Sequence, residues 1–314
     1  MDFLFLMDPL ESVNTWTDTT YALMRKACQR GHAVWFAEPS SLELRQGVPW
    51  VRSRQVDVPG ASSSFSWRGA DEWRELATFP IAWIRKDPPF DLGYVETTWM
   101  LDRADRARCR VLNDPHGIRG ANEKLYALRF PELCPPTLVS SDRPSLRAFI
   151  ETHGQVVLKP LGAAGGEGIL YAWRGMRGLS ALLETAVRGG KRCEAQAYLP
   201  AAEKGDKRIL VLDGEPLGAV LRIHGEGEER NNLHLGGRAE PATLGPEDRR
   251  IVERIAPSLR RDGLVLVGLD VIDGRLTEVN VTSPTCIQEL ERFDGIDASG
   301  AVIDWCERNA PRTG

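Results

Sequence analysis

The chain has no CxxC pair and no HExxH run. Its six cysteines (Cys28, Cys109, Cys134, Cys193, Cys286 and Cys306) and five histidines are scattered. That pattern argues against a disulfide framework and against a zinc site, and it suits a reduced, cytoplasmic setting. A basic tail is missing too, and the net charge is -4. A general nucleic-acid binder would carry the opposite balance. Long apolar runs are absent: FLFLM, residues 3–7, is too short for a membrane span or a signal-peptide core and runs into Asp8 and Pro9. No internal repeat marks a solenoid. Asn280-Val-Thr spells a glycosylation sequon, but with no secretory signal it reads as chance.

What is present is ordinary globular material, 314 residues with 42% hydrophobic and 27% charged, enough for two or three cored units. The first third alternates strand and helix. DFLFLMD is a strand, Asp18 caps a helix that Gly31 ends, and AVWFAE is the next strand, a β-α-β start that implies a parallel sheet. Residues 59–68 read as a loop, IAWIRKDPPF as a strand stopped by Pro-Pro, 94–107 as a helix and RVLND as a short strand. The middle has a helix opening at NEKL and another over DRPSLRAFIETHG. QVVLKPLGAAGGEGILYAW then reads as two strands around a glycine-rich loop, followed by a helix near 178–188 and the strand CEAQAYLP. The last part holds a hairpin around Asp213-Gly214, a long polar stretch after His224, a helix from Pro246 to Asp262, and the segment GLDVIDGRLTEVNVTSP, residues 268–284.

That segment places acids inside apolar runs. Glu278 and Asn280 are two apart on a strand and share a face. A two-residue turn at Asp273-Gly274 would pair Asp270 with Thr277 and put Glu278 on the other side. A three-residue loop would pair Ile272 with Leu276 and Asp270 with Glu278, so one shared site requires the second register. Facing carboxylates need a cation between them, and Asp, Glu and Asn oxygens suit Mg²⁺. A solvated sheet face with scattered acids is the bland alternative.

LGAAGGEG, residues 161–168, is neither a Walker A loop nor GxGxxG. Between two strands it could fold over a ligand with its N–H groups toward phosphate, or simply be a floppy hairpin loop. Lys159, on an apolar strand just before it, should snorkel or meet an anion. Lys124 reads as a surface residue on pattern alone. EAQAYLP with Asp206 could line a nucleoside pocket, though a plain linker is the simpler reading. Arg208, Arg222, Arg230 and Arg238 suit bidentate contact with carboxylate or phosphate, or are solvated charges.

Taken in order, MDP, RKDPPFD, NEKL, LKPLGAAGG, YLPAAEKGDKRILVLDGEP, GGR and VGLDVIDGRLTEVNVTSPT resemble the ATP-grasp superfamily, and within it the bacterial glutathione synthetases, along nearly the whole chain. The resemblance implies an α/β and α+β architecture: an N-terminal Rossmann-like parallel-sheet domain (1–120), a central ATP-grasp subdomain (121–198) and a C-terminal one (199–314). It implies that Lys124 and Lys159 contact the phosphates of ATP, with Gly162, Gly165, Gly166 and Gly168 in the loop covering them. Tyr198 and Leu199 would meet adenine and Asp206 the ribose. Asp270, Glu278 and Asn280 would hold two Mg²⁺ ions, with Mn²⁺ as an alternative. Arg208, Arg222 and Arg230 would stabilise the transferred phosphoryl group, and Arg85, Asn232, Ser283 and Thr285 would border the substrate. The implied reaction is amide formation from a small-molecule acid and amine through an acyl phosphate. A homo-oligomer without nucleic-acid or membrane partners is also implied.

The sequence departs from the family pattern at Trp16-Thr17, where basic residues are expected, at Arg230-Asn231-Asn232-Leu233-His234 and at Ala197. These positions bear on substrate choice or lid motion. They keep open a ligase of the same fold joining a different acid and amine. A non-catalytic nucleotide-binding regulator is a third reading, and the retained phosphate and metal residues oppose it.

Overall fold

The computed structural model describes residues 1–58, 60, 65–163, 165–225 and 237–311. Among these the strands form three sheets. The first contains β1 (Asp2–Leu6), β2 (Ala33–Ala37), β3 (Leu42–Arg45), β4 (Val48–Asp57), β5 (Ser66–Glu75), β6 (Ile81–Ile84) and β7 (Arg110–Leu112). Its parallel part runs β2-β1-β6-β7, as the β-α-β opening requires. β3, β4 and β5 extend one edge in antiparallel fashion. This extension corrects the loop expected at 59–68, because Ser66, Trp67 and Arg68 pair with β4. The strand is almost wholly exposed, so it lacks the apolar alternation that would have revealed it.

α1 (Thr19–Gln29) is capped by Asp18, whose carboxylate accepts from the Tyr21 N–H, and ends at Gly31 with φ +77°. α2 (Leu92–Leu101) is shorter than expected, ending six residues before Ala107. α3 (Pro115–Gly120) and α4 (Glu123–Ala127) lead out of the first sheet.

The second sheet is antiparallel, ordered β10-β9-β11-β8, from β8 (Thr137–Ser140), β9 (Gln155–Pro160), β10 (Leu170–Trp173) and β11 (Cys193–Ala197). Strand alternation sends Val156, Leu158, Ala172, Cys193 and Ala195 into a core with Leu146 and Ile150 of α5 (Arg143–His153) and Leu179 and Leu183 of α6 (Leu179–Ala186). The opposite face carries Val157, Lys159, Tyr171 and Gln196.

The third sheet, also antiparallel, is ordered β14-β13-β12-β15-β16, from β12 (Asp206–Leu212), β13 (Glu215–Ile223), β14 (Arg238–Ala242), β15 (Leu266–Ile272) and β16 (Arg275–Asn280). α7 (Pro246–Arg261), α8 (Ile287–Asp294) and α9 (Ala298–Asn309) complete the chain's elements. The first and third sheets share their cores. One face of the first sheet gives Leu4, Leu6, Ala82 and Ile84 to a core with Val267, Leu269 and Ile255. The other gives Phe3, Phe5, Ile81 and Trp83 to a core with Leu210, Leu266 and Ile303. Between them the Asn113 carboxamide donates to the carbonyls of Leu266 and Val281 and accepts from the N–H groups of Val265 and Leu266, at 2.7–2.9 Å.

Candidate active site

A cavity of about 380 Å³ lies between the second and third sheets. The third sheet supplies its floor through register. Asp206 pairs across β12–β13 with Arg222, Arg208 across β12–β15 with Asp270, and Asp270 across β15–β16 with Glu278. Charged side chains therefore form a band over adjacent strands.

The hairpin solves its register differently from both expectations. Its turn is the two-residue one: Ile272 pairs with Arg275, and Asp273 and Gly274 have φ of +49° and +69°. Both central residues at positive φ match the twist of the strands. A bulge next to Asp270 then shifts the pairing so that Asp270 still faces Glu278. The Thr277 hydroxyl donates to the Asp270 carbonyl at 3.0 Å and secures the irregularity.

Asp270 is buried and held from several sides. Arg208 donates from Nε at 2.6 Å and from Nη2 at 3.1 Å, Arg222 lies 2.9 Å away, and Asn280 Nδ2 donates at 3.1 Å. Burial alone would raise its pKa. The two guanidinium groups outweigh that and hold it well below the ordinary carboxylate range. Arg222 also grips both oxygens of Asp206. Gly268 makes room for this arrangement, because a Cβ there would stand 3.0 Å from Arg208 Cδ and from Pro284 Cβ.

The opposite side contributes cations, of which Lys159 lines the cavity and Lys124 lies behind the lining. Lys159 is buried, with its Nζ 3.1 Å from Gln196 Oε1 and 3.4 Å from Glu278 Oε1. Lys124 is buried rather than on the surface. Its Nζ donates to the Ala163 carbonyl at 2.8 Å, pairs with Glu123, and lies 3.9 Å from Glu278. For both lysines burial would lower the pKa, and Glu278 with the other nearby carboxylates raises it instead. Asn122 caps α4 and donates to the Leu161 carbonyl at 2.8 Å, so α4 ties down the start of the glycine-rich loop twice. In that loop Gly165, Gly166 and Gly168 have φ of +64°, +82° and +69°, a backbone that side chains rarely adopt.

Of the residues singled out in the sequence, Lys159, Gly165, Gly166, Tyr198, Leu199, Asp206, Arg208, Arg222, Asp270, Glu278, Asn280, Ser283 and Thr285 line this one cavity. Gly162 lines a small adjoining space of about 30 Å³ with Glu123 and Thr282. Gly168 closes the loop against Pro160. Arg85 stands apart from the cavity wall. It is buried, donates to Thr20 Oγ1 at 3.0 Å and to the Pro284 carbonyl at 3.1 Å, and its pKa is lowered by burial. Arg230 and Asn232 lie outside the described residues.

Sequence reading missed Glu123, Gln196 and Tyr171. Glu123 adjoins Lys124, and burial, followed by the Glu278 charge, raises its pKa to about 7. Its position beside a lysine at a helix start looks like a surface pair, and only the fold buries it. Gln196 and Tyr171 follow from alternation once the helix-facing residues are known.

The donor chemistry fits Mg²⁺. Among the described residues no three His, Cys, Asp or Glu side chains could hold an ion together. Two carboxylates and the Asn280 carboxamide do converge on the cavity, and these hard oxygen donors leave positions for water and phosphate. A deep cleft between two antiparallel sheets, a glycine-rich flap, buried lysines on one wall and acids with arginines on the other define an ATP-grasp ligase.

Family comparison places the chain more narrowly. Residues 1–119 match the prokaryotic glutathione synthetase N-terminal domain, and residues 123–295 match the prokaryotic glutathione synthetase ATP-grasp domain. The chain belongs to this family and is an ATP-dependent amide-forming ligase. It is 44% identical to the glutathione synthetase of Thermosynechococcus vestitus, covering 97% of this chain and 99% of that one. It is 41% identical to that of Vibrio cholerae, covering 98% of each. Among solved structures, D-cycloserine synthetase DcsG superposes with a TM-score of 0.68 at 15% identity, covering 98% of this chain and 99% of that one. The ATP-grasp ligase PsnB, complexed with a minimal precursor, Mg and ADP, does so with a TM-score of 0.64 at 16% identity, covering 99% and 98%. These two likenesses speak for the fold. No helix among the described residues is long and apolar enough to cross a membrane.

Proposed function

We propose that the chain joins γ-glutamylcysteine to glycine with cleavage of ATP to ADP and phosphate, forming glutathione. The band Arg222–Asp206, Arg208–Asp270–Glu278 facing Lys159 carries this reading. It offers fixed positive charge where phosphoryl oxygens gain charge, and oxygen donors that would hold a cation in the same cleft. Asp270, Glu278 and Asn280 would hold two Mg²⁺ ions, Mn²⁺ being an alternative. When bound, the metal neutralises phosphate charge and orients the phosphoryl group.

Lys124 and Lys159 hold phosphates from the central side, and the glycine-rich loop excludes water above them. Tyr198 and Leu199 present backbone to adenine. The Tyr198 N–H donates to the Gln155 carbonyl at 3.0 Å, which fixes this stretch of backbone at the cavity edge. Asp206 serves the ribose, though its two oxygens are engaged by Arg222 in this structure. Arg208, Arg222 and Arg230 stabilise the transferred phosphoryl group, and the substrate carboxylate that accepts it becomes an acyl phosphate. Glycine nitrogen then attacks the acyl carbon and phosphate departs. Asn232, Ser283 and Thr285 border the acid and amine, and Arg85, standing apart from the cavity, holds the backbone beside them through the Pro284 carbonyl. An acyl phosphate hydrolyses if water reaches it, so the cleft must close before transfer. The assembly is proposed to be a homo-oligomer, as in the resemblance, and sedimentation at several concentrations checks that.

The test is ADP release with each component omitted in turn. Release that requires both γ-glutamylcysteine and glycine, with glutathione formed, supports the reading. Release only with another acid and amine retains the ligase and overturns the substrates.

A further inference from the structure

Glu194 lies on β11 directly across from Lys159 on β9 and is fully buried. Its strand neighbours Cys193 and Ala195 fill the helix-facing core, so Glu194 shares the cleft-facing side with Gln196. A buried carboxylate at such a position is costly without a partner. Neither oxygen accepts a well-formed hydrogen bond, and the nearest cation is Lys159, with Nζ 3.5 Å from Oε2. Lys124 and Glu278 reach it electrostatically from further off.

Lys159 is thus held by three groups, Gln196, Glu278 and Glu194, and they differ in availability. Glu278 is part-exposed in the cavity and belongs to the proposed metal donors. Once engaged there it is no longer free for the lysine. Glu194 has no solvent exposure and does not line the cavity, and Lys159 is its close ion-pair partner, Lys124 acting on it only from further off.

We propose that Glu194 is a positioning residue for Lys159, a buried carboxylate that keeps the ammonium aimed into the cleft when Glu278 turns to the metal-bound nucleotide. The inference rests on Lys159 contacting phosphate. It assigns Glu194 no contact with nucleotide or substrate.

A double-mutant cycle on the full chain tests it, reading MgADP affinity by calorimetry and thermal midpoint together. Glu194→Met, close to glutamate in volume, should weaken MgADP binding about tenfold, within the usual range of coupling between a ligand site and a group outside it. Glu194→Gln, which keeps the shape, should weaken it similarly. Lys159→Met should weaken binding and also lower the midpoint, because Glu194 is left alone in the interior. Adding Glu194→Met to Lys159→Met should cost no further affinity and should restore the midpoint, which a packing role for Glu194 would not do. Wild-type affinity in both Glu194 variants, or additive losses in the double variant, would overturn the proposal. If Lys159→Met itself binds MgADP normally, the phosphate role of Lys159 falls and this inference with it. Weak Lys159→Met with normal Glu194→Met sinks this inference alone.

Discussion

The central unit and the terminal units are built on different plans. The four-stranded central sheet has its own core, in which α5 and α6 cover one face and, among the described residues, nothing from the other sheets enters the cluster. The first and third sheets share two cores and are stitched by the Asn113 carboxamide. The cleft lies where these plans meet, and it is bridged by charge, as in the Lys159–Glu278 pair, rather than by shared apolar packing. Apolar cores are close-packed and resist sliding, whereas an ion pair can exchange partners with an incoming anion and cation. The arrangement gives a base carrying acids, arginines and, on α4, Lys124, whose neighbours Tyr126 and Ala127 lie in the shared core, and a separately cored wall carrying Lys159 and the flap.

The largest predicted effect falls on the bridge. Glu278→Gln should lower turnover at least about a hundredfold while the circular dichroism spectrum and thermal midpoint stay near wild type. Near-normal turnover would remove Glu278 from the site. Next comes the contrast in cores. Asn113→Ala strands buried N–H and carbonyl groups and should destabilise the base by about 3 kcal/mol, accelerating amide exchange in β1 and β15 together. Ile150→Ala, in the central core, should cost a comparable ~2–5 kcal/mol yet accelerate exchange within 137–197 first. If either substitution loosens all three sheets equally, the two-plan account fails.

A smaller effect concerns pH. Burial and then Glu278 raise the folded-state pKa of Glu123 from 4.5 to about 7. A raised carboxyl pKa means the folded state binds more protons, so stability is full below the unfolded value and is lost as pH rises through the folded one. Relative to wild type, Glu123→Gln should therefore gain stability across that window, by about 3 kcal/mol at most. A flat difference between denaturation midpoints across the same range would contradict this. The smallest effect is at Cys286, which is fully buried and whose thiol pKa burial raises. Acyl phosphate chemistry needs no thiol, so Cys286→Ser should keep turnover within about threefold. A folded but inactive variant would contradict that.

Much of this was legible in the sequence because local rules set it. Strand period, the Asp18 cap, the Gly31 stop and the Asp213-Gly214 hairpin depend on neighbouring residues. So does the shared face of Glu278 and Asn280. The pairing of Asp270 with Glu278 was legible as a requirement, but its cause was not. The bulge beside Thr277 does by one irregular residue what a longer loop would have done, and no composition cue separates the two. Lys124 and Glu123 looked like a surface pair because their burial comes from the loop at Ala163 and the strand at Glu278, both distant in sequence. β5 escaped because an exposed edge strand alternates nothing. The resemblance named residues that periodicity could not, such as Ser283 and Thr285, and these line the cavity.

The central claim is that a carboxylate is activated by phosphoryl transfer in the cleft between the lysine wall and the acid floor. The most direct test uses γ-glutamylcysteine whose cysteinyl carboxylate is enriched in heavy oxygen, with ATP, Mg²⁺ and glycine. The account predicts that one labelled oxygen appears in the released phosphate for each amide formed. Amide formation with unlabelled phosphate would contradict it.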